Sequence, residues 1–182
     1  MIPNGYDGDF ELPDTIVMDN ASVIRICYVG NFYYSPEARN DIFRPWYKRK
    51  FNRILQYVPR KEDWLYRSPY FFFQSINKLF ELYPQYQNKV QIHFAGHHPG
   101  WLQEQIDSLG LTGFCHLHGY LSHAEAINFQ KEADVLLLTS AKVLNGRDYS
   151  IAGKTFEYFT MSKPILGFVC EGAQQSILEE SG

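Results

Sequence analysis

Short apolar runs closed by glycine or a hydroxyl residue alternate with helix-like segments along this 182-residue chain, and no other feature restricts its fold so strongly. "VIRICYVG" (Val23 to Gly30), "VQIHFAG" (Val90 to Gly96), "DVLLLTS" (Asp134 to Ser140) and "PILGFV" (Pro164 to Val169) have the length and apolar content of strands buried on both faces. "GFCHLHG" (Gly113 to Gly119) is a weaker fifth. Between them lie "SPYFFFQSINKLFELY", "GWLQEQIDSLG", "SHAEAINFQKEA" and "GKTFEYFTMS", which read as helices. The third opens on a Ser122-x-x-Glu125 capping box, and Ser68 and Gly110 offer a cap and a stop to the first two. Repeated strand and helix alternation predicts right-handed crossovers, hence an α/β fold: a Rossmann-like, doubly wound parallel sheet with helices on both faces. A hydrophobic content of 45% is ample for one such domain. Ligands of these sheets gather at the carboxyl ends of the strands.

Charge and motifs remove several function classes. A formal net charge of -3 exerts no global pull on nucleic acid or an anionic membrane, so an anion must be held by a local site. Cys27, Cys115 and Cys170 are odd in number and form no CxxC pair, which predicts reduced packing residues in a cytoplasmic protein. No run reaches the ~20 apolar residues of a membrane span, and "MIPNGYDGDF" has neither a basic start nor an apolar stretch. There is no GxSxG, no GxxxxGK[ST] and no GxGxxG. His116 and His118 would share a strand face, but no carboxylate or cysteine at ligand spacing completes a metal set. His93, between Ile92 and Phe94, reads as a hydrogen-bonded strand residue.

Residues 31 to about 66 break the rhythm with a long aromatic and basic stretch. Two readings stand: an insertion that packs its aromatic rings on the body and leaves its Lys and Arg solvated, or a surface for a phosphate-bearing or membrane-held acceptor.

"GKTFEYFTMSKPILGF" (Gly153 to Phe168) carries the most suggestive polar pattern. On a helix Lys154, Glu157 and Tyr158 share one face, with Phe156 and Phe159 expected to face the core on the other. A carboxylate suits the vicinal hydroxyls of a ribose and a lysine suits a diphosphate, so Lys154 and Glu157 could hold two parts of one nucleotide. The same spacing also describes an ordinary solvated i,i+3 ion pair.

"IPNGYD" (Ile2 to Asp7), "IRICYVGNF", "VQIHFAGHHP", "HLHGYLSHAEAINFQKEADVLLLTS" and "GKTFEYFTMSKPILGF" occur in the order and spacing of segments in one family. Over nearly the whole chain, apart from the insertion at about 33–66, the sequence resembles the C-terminal, donor-binding half of retaining, family 4 type glycosyltransferases of the GT-B fold. The resemblance implies a single nucleotide-sugar-binding domain over residues 1–182, one half of a GT-B architecture. The N-terminal half, which binds the acceptor, would lie outside the chain. It also implies that Gly119, Tyr120 and Leu121 meet the base, that Glu157 accepts from the ribose, and that Lys154 and the backbone after Gly30, at Asn31, lie near the diphosphate. Arg67 is a further basic candidate. The donor would be a UDP- or GDP-linked sugar with no metal or other cofactor, consistent with "EADV" and "GRDYS" not being DxD-type carboxylate pairs.

The implied partners are that sugar nucleotide and, through the other half, a glycan or lipid-linked glycan of polysaccharide or cell-surface biosynthesis. The implied place is the cytoplasm, with peripheral contact at the inner membrane face and no nucleic acid. Many relatives carry a second glutamate eight positions before the one matching Glu157; here that position is Tyr149, with Asp148 beside it as the alternative sugar-facing group. No catalytic residue is implied. A noncatalytic nucleotide- or protein-binding module, or a GT-B sugar-nucleotide epimerase, remain the alternatives.

Overall fold

The computed structural model describes residues 23–48, 51 and 60–181. In chain order these form β1 (Ile24–Val29), α1 (Pro36–Phe43), β2 (Glu62–Asp63), α2 (Tyr70–Leu82), β3 (Val90–Ala95), α3 (Gly100–Ser108) and β4 (Cys115–Leu117). There follow α4 (His123–Lys131), β5 (Val135–Thr139), β6 (Lys142–Val143), α5 (Gly153–Thr160), β7 (Ile165–Phe168) and α6 (Ala173–Ser181). Five strands make one parallel sheet in the order β4-β3-β1-β5-β7, as the apolar runs predict. β1 lies at its centre, pairing from Ile24↔Val90 to Val29↔Ala95 on one side and at Ile26↔Val135 and Cys27↔Leu136 on the other.

Alternation along β1 and β3 feeds two cores, one on each face of the sheet. Ile26, Tyr28, Ile92 and Phe94 pack with Phe72, Phe73, Ile76 and Phe80 of α2 and Leu102 and Ile106 of α3. Cys27 and Ala95 point to the other face, with Leu136, Leu138, Phe129 of α4, and Tyr158 and Met161 at α5. Burying each of the large side chains stabilises the fold by about 1.5–3 kcal/mol. The chain is therefore an α/β, Rossmann-like domain with helices on both faces.

Local signals act as expected. Ser122 and Glu125 form the reciprocal capping box at α4. Ser68 Oγ accepts from Tyr70 N at the start of α2. Gly110, just beyond α3, has φ +68.

α5 is rotated relative to its sequence expectation. Its buried residues are Thr155 and Tyr158, while Phe156 and Phe159 are only half-buried. The polar face is the one turned to the sheet. The Tyr158 ring supplies the apolar bulk, and its hydroxyl lies 3.5 Å from Val29 N.

The described residues of the 33–66 segment lie beside the carboxyl edge of the sheet. β2 pairs antiparallel with β6, Glu62 opposite Val143 and Asp63 opposite Lys142, and Arg39 of α1 grips buried Asp63 through two bonds of 2.8 and 2.9 Å. Its aromatic residues divide. Tyr34 packs edge-on against Trp101, while Tyr33, Phe43, Tyr47 and Phe51 are exposed, Tyr33 lying edge-on to Trp64 of the same segment. The basic residues Arg49, Lys50 and Arg53, like "IPNGYD", lie outside the described residues. Among the described residues no helix is long and apolar enough to cross a membrane.

Candidate functional site

The strand order carries a directional change. From β1 the chain builds outward through β3 to β4, then returns across the sheet to β5 and proceeds to β7. Connections therefore leave the β1/β5 boundary in opposite directions and open a crevice at its carboxyl end, the place where open α/β sheets bind ligands. A cleft of about 210 Å³ lies there, lined by Tyr28, Asn31, Arg67, Thr139 and Lys154, with Tyr33 at one side.

Each polar group in the cleft is set by an identifiable contact. Lys154, in the first turn of α5, donates from Nζ to Val29 O at 2.8 Å and stands 3.7 Å from the centre of the Tyr28 ring. Burial, with the Arg67 guanidinium nearby and despite the opposing pull of Glu157, pushes its pKa down to about 7. Arg67 ends a 3-10 turn whose last carbonyl accepts from Thr139 Oγ1 at 2.9 Å, so the end of β5 holds that turn in place. Its guanidinium lies 5.5 Å from the centre of the Trp64 ring. α5 starts in the same cleft at Ala152 and Gly153, and no side chain caps its N-terminus. Two basic side chains and an uncapped helix N-terminus thus converge on one small crevice, an arrangement that attracts an anion with more than one oxygen.

Glycines let the backbone close around this point. Gly30 has φ +126, and a Cβ there would lie 2.8 Å from Lys154 Nζ. Gly96 has φ +134, and a Cβ there would lie 2.3 Å from Gly30 O. Gly30 N bonds to Ala95 O, Gly96 N bonds to Gly119 O, and Asn31 Oδ1 accepts from His97 N at 2.9 Å. The ends of β1, β3 and β4 are therefore laced together by two main-chain bonds and by the Asn31 side chain.

The sequence-derived candidates fall into three groups. Gly30, Asn31, Arg67 and Lys154 meet at the cleft. Gly119, Tyr120 and Leu121 follow β4 at one end of the same sheet edge; Tyr120 is exposed and its ring stacks 6.2 Å from His97, while Leu121 packs on the second core. Glu157 lies one turn beyond Lys154 on the same helical face and accepts from Gln130 Nε2 at 2.7 Å.

Asp148 and Tyr149 lie apart from the cleft lining. The Asp148 carboxylate is only 3% exposed, accepts from Ser150 N and Oγ, and is ion-paired with Arg60. Burial works against its ionised form, but the Ser150 bonds and Arg60 prevail and hold its pKa below the usual value. Tyr149 is exposed beside Ile151 and Ala173 in a separate hollow.

Sequence reasoning missed Thr139, Tyr28 and Tyr33. Thr139 was discoverable, since it closes a strand in "DVLLLTS" at the ligand-binding end. The roles of the two tyrosines depend on tertiary neighbours. His93 has the hydrogen-bonded role expected of it: Nδ1 lies 2.9 Å from His118 Nε2, and Nε2 lies 3.3 Å from Gln91 Oε1.

No protein-family model and no curated relative matches the chain. Among solved structures it is similar to a Listeria monocytogenes protein described as a UDP-N-acetylglucosamine 2-epimerase, with TM-score 0.42, 10% identity, and coverage of 88% of this chain and 36% of that one. It is also similar to S. aureus MnaA in complex with UDP, with TM-score 0.43, 12% identity, and coverage of 93% and 39%. The chain spans well under half the length of either, and its fold assignment rests on the sheet described above.

Proposed function

We propose that this chain is the donor-binding half of a retaining glycosyltransferase and holds the diphosphate of a UDP- or GDP-linked sugar at the β1/β5 crevice. The observation that carries the reading is the meeting of Lys154, Arg67 and the uncapped start of α5 in one cleft where the strand order reverses. In this reading the base lies over Gly119 to Leu121 and Glu157 accepts from the ribose hydroxyls. An acceptor hydroxyl, presented by a second domain, attacks the anomeric carbon on the face from which the diphosphate leaves. The carbon–oxygen bond to phosphate breaks, the departing oxygen takes up the acceptor proton, and Lys154, Arg67 and the helix N-terminus stabilise the growing negative charge.

Titration of the chain with UDP and GDP, followed by amide shifts or calorimetry, tests the binding half of this reading. Saturable binding that disappears in Lys154→Ala and weakens in Glu157→Ala, with the fold intact, is expected. No response to either nucleotide at millimolar concentration would overturn it. A sugar-nucleotide epimerase would use the same diphosphate cleft. Assaying the chain together with its second domain separates the two, because only the transferase requires an acceptor for turnover.

A further inference from the structure

Residues 33–42 and 60–64, from the two described ends of the 33–66 segment, line a second and larger cavity, of about 530 Å³, next to the diphosphate cleft. Tyr33 borders both, and Trp64 forms part of the new wall while Arg67 stands over its ring. Ala38 and Ile42 of α1 complete an aromatic and aliphatic lining that also includes Arg60 and Lys61. The polar groups here are mostly engaged with one another. Arg39 grips Asp63, Arg60 pairs with Glu62 and Asp148, and the Trp64 indole donates to Glu62 at 2.8 Å. What the cavity presents to a visitor is chiefly ring faces and hydrocarbon.

The order of strand ends along the sheet edge gives the cavity its place. Gly119 follows β4, Gly96 follows β3, Gly30 follows β1, and Thr139 closes β5, beyond which β6 carries the small sheet of the 33–66 segment. A nucleotide with its base at the β4 end and its diphosphate between Lys154 and Arg67 therefore directs its terminal group past Tyr33 into this cavity. A hydroxyl buried there without a partner is disfavoured, whereas methyl groups and the C–H face of a pyranose pack well on Tyr and Trp rings.

We propose that the cavity of the 33–66 segment is the glycosyl subsite of the donor and that it selects a sugar poor in free hydroxyls and bearing a methyl group, deoxygenated or N-acylated. This rests on the donor-binding reading above. It also accounts for Asp148, which Arg60 of the same segment occupies, and for Tyr149, exposed at a separate hollow: the sugar is recognised from the opposite side of the cleft.

The test is calorimetry with UDP and GDP, each free and carrying glucose, 6-deoxyglucose or N-acetylglucosamine. One methyl-bearing glycosyl nucleotide is expected to bind about tenfold tighter than both the free nucleotide and the glucose form. Ala38→Trp, an exposed helix position whose new ring fills the cavity, should erase that gain and leave free-nucleotide affinity unchanged. Ile42→Asn, which lines the cavity without filling it, should reduce the gain and serves if Ala38→Trp fails to fold. Equal affinity for all glycosyl forms, or a gain that survives both substitutions, overturns the subsite while the donor reading stands. Failure of both free nucleotides to bind overturns the donor reading and the subsite with it.

Discussion

Lys154→Met isolates the conflict between stability and ligand binding at the centre of the cleft. In the folded chain burial and Arg67 lower the Lys154 pKa to about 7, from the ordinary lysine value of 10.5. Below the folded value both states carry the proton and the full cost of burying the charge persists. Between about 7 and 10.5 only the unfolded chain remains protonated, so the contribution of this residue to stability rises with pH across that window. From pH 7 to 8.5 the rise amounts to roughly 1.5 kcal/mol. Methionine keeps the stem packed on Tyr28 but has no proton to lose. Urea unfolding at both pH values should show the variant more stable than the native chain at pH 7, with the gap narrowing by about that amount at pH 8.5. Because the comparison is between two chains, other titrating groups cancel. The same variant should lose nucleotide binding. Parallel stability profiles for the two chains would refute the claim that Lys154 is held at an energetic cost, and unimpaired nucleotide binding would remove it from the site.

Further outcomes follow from other contacts. Gly30→Ala should abolish nucleotide binding and destabilise by about 1–3 kcal/mol, since its Cβ meets Lys154 Nζ and its φ is positive, whereas Gly100→Ala, with open space around it, should be nearly neutral by thermal melting. Arg60→Met should cost about 1–3 kcal/mol by stranding the buried Asp148 carboxylate. The depressed Asp148 pKa makes its contribution present above the ordinary carboxylate value and lost as pH falls through the folded one, so acidification below about pH 4 should shrink the gap between the native chain and this variant. His93, which burial and nearby Arg25, His116 and His118 push down to about 4, should destabilise the native chain by roughly 2 kcal/mol between pH 6.5 and 4.5, because only the unfolded state gains the proton there. Denaturation of His93→Gln at the two pH values should show that slope reduced.

The inner strands β1, β3 and β5 were legible because they are buried on both faces, so that "RICYV" and "QIHFA" read as strands from composition alone, while β4, a half-exposed edge strand of three residues, was the faintest. The helix ends were legible where a side chain does the capping, as at Ser122. The face of α5 was not. Phe156 and Phe159 outweigh Thr155 in hydrophobicity, and nothing local shows that Tyr158 would occupy the interior while Lys154 reached Val29 O. Of the residues that meet at the candidate cleft, Lys154 was legible from the polar face of its helix and Gly30 from its place at the end of a strand, while Asn31 and Arg67 were implied by the family resemblance. Two short contacts were hidden. Glu62–Asp63 pairs with Lys142–Val143 in strands too brief and too polar for periodicity to register, and Arg60 reaches Asp148 across 88 residues of the chain. These depend on tertiary approach, and they join the 33–66 segment to the stretch between β5 and α5.

The central position of β1 bears on how the chain acquires its structure in time. Ile24 finds its partner at Val90 and Ile26 at Val135, so the first of the described strands is among the last of them to be fully flanked. During synthesis it must wait, with its apolar residues unpaired, until β5 has emerged. Pairings of such long sequence separation slow folding and expose aggregation-prone edges. Substitutions that weaken β5, such as at Leu136 or Leu138, should therefore lower soluble yield more than their effect on equilibrium stability would suggest.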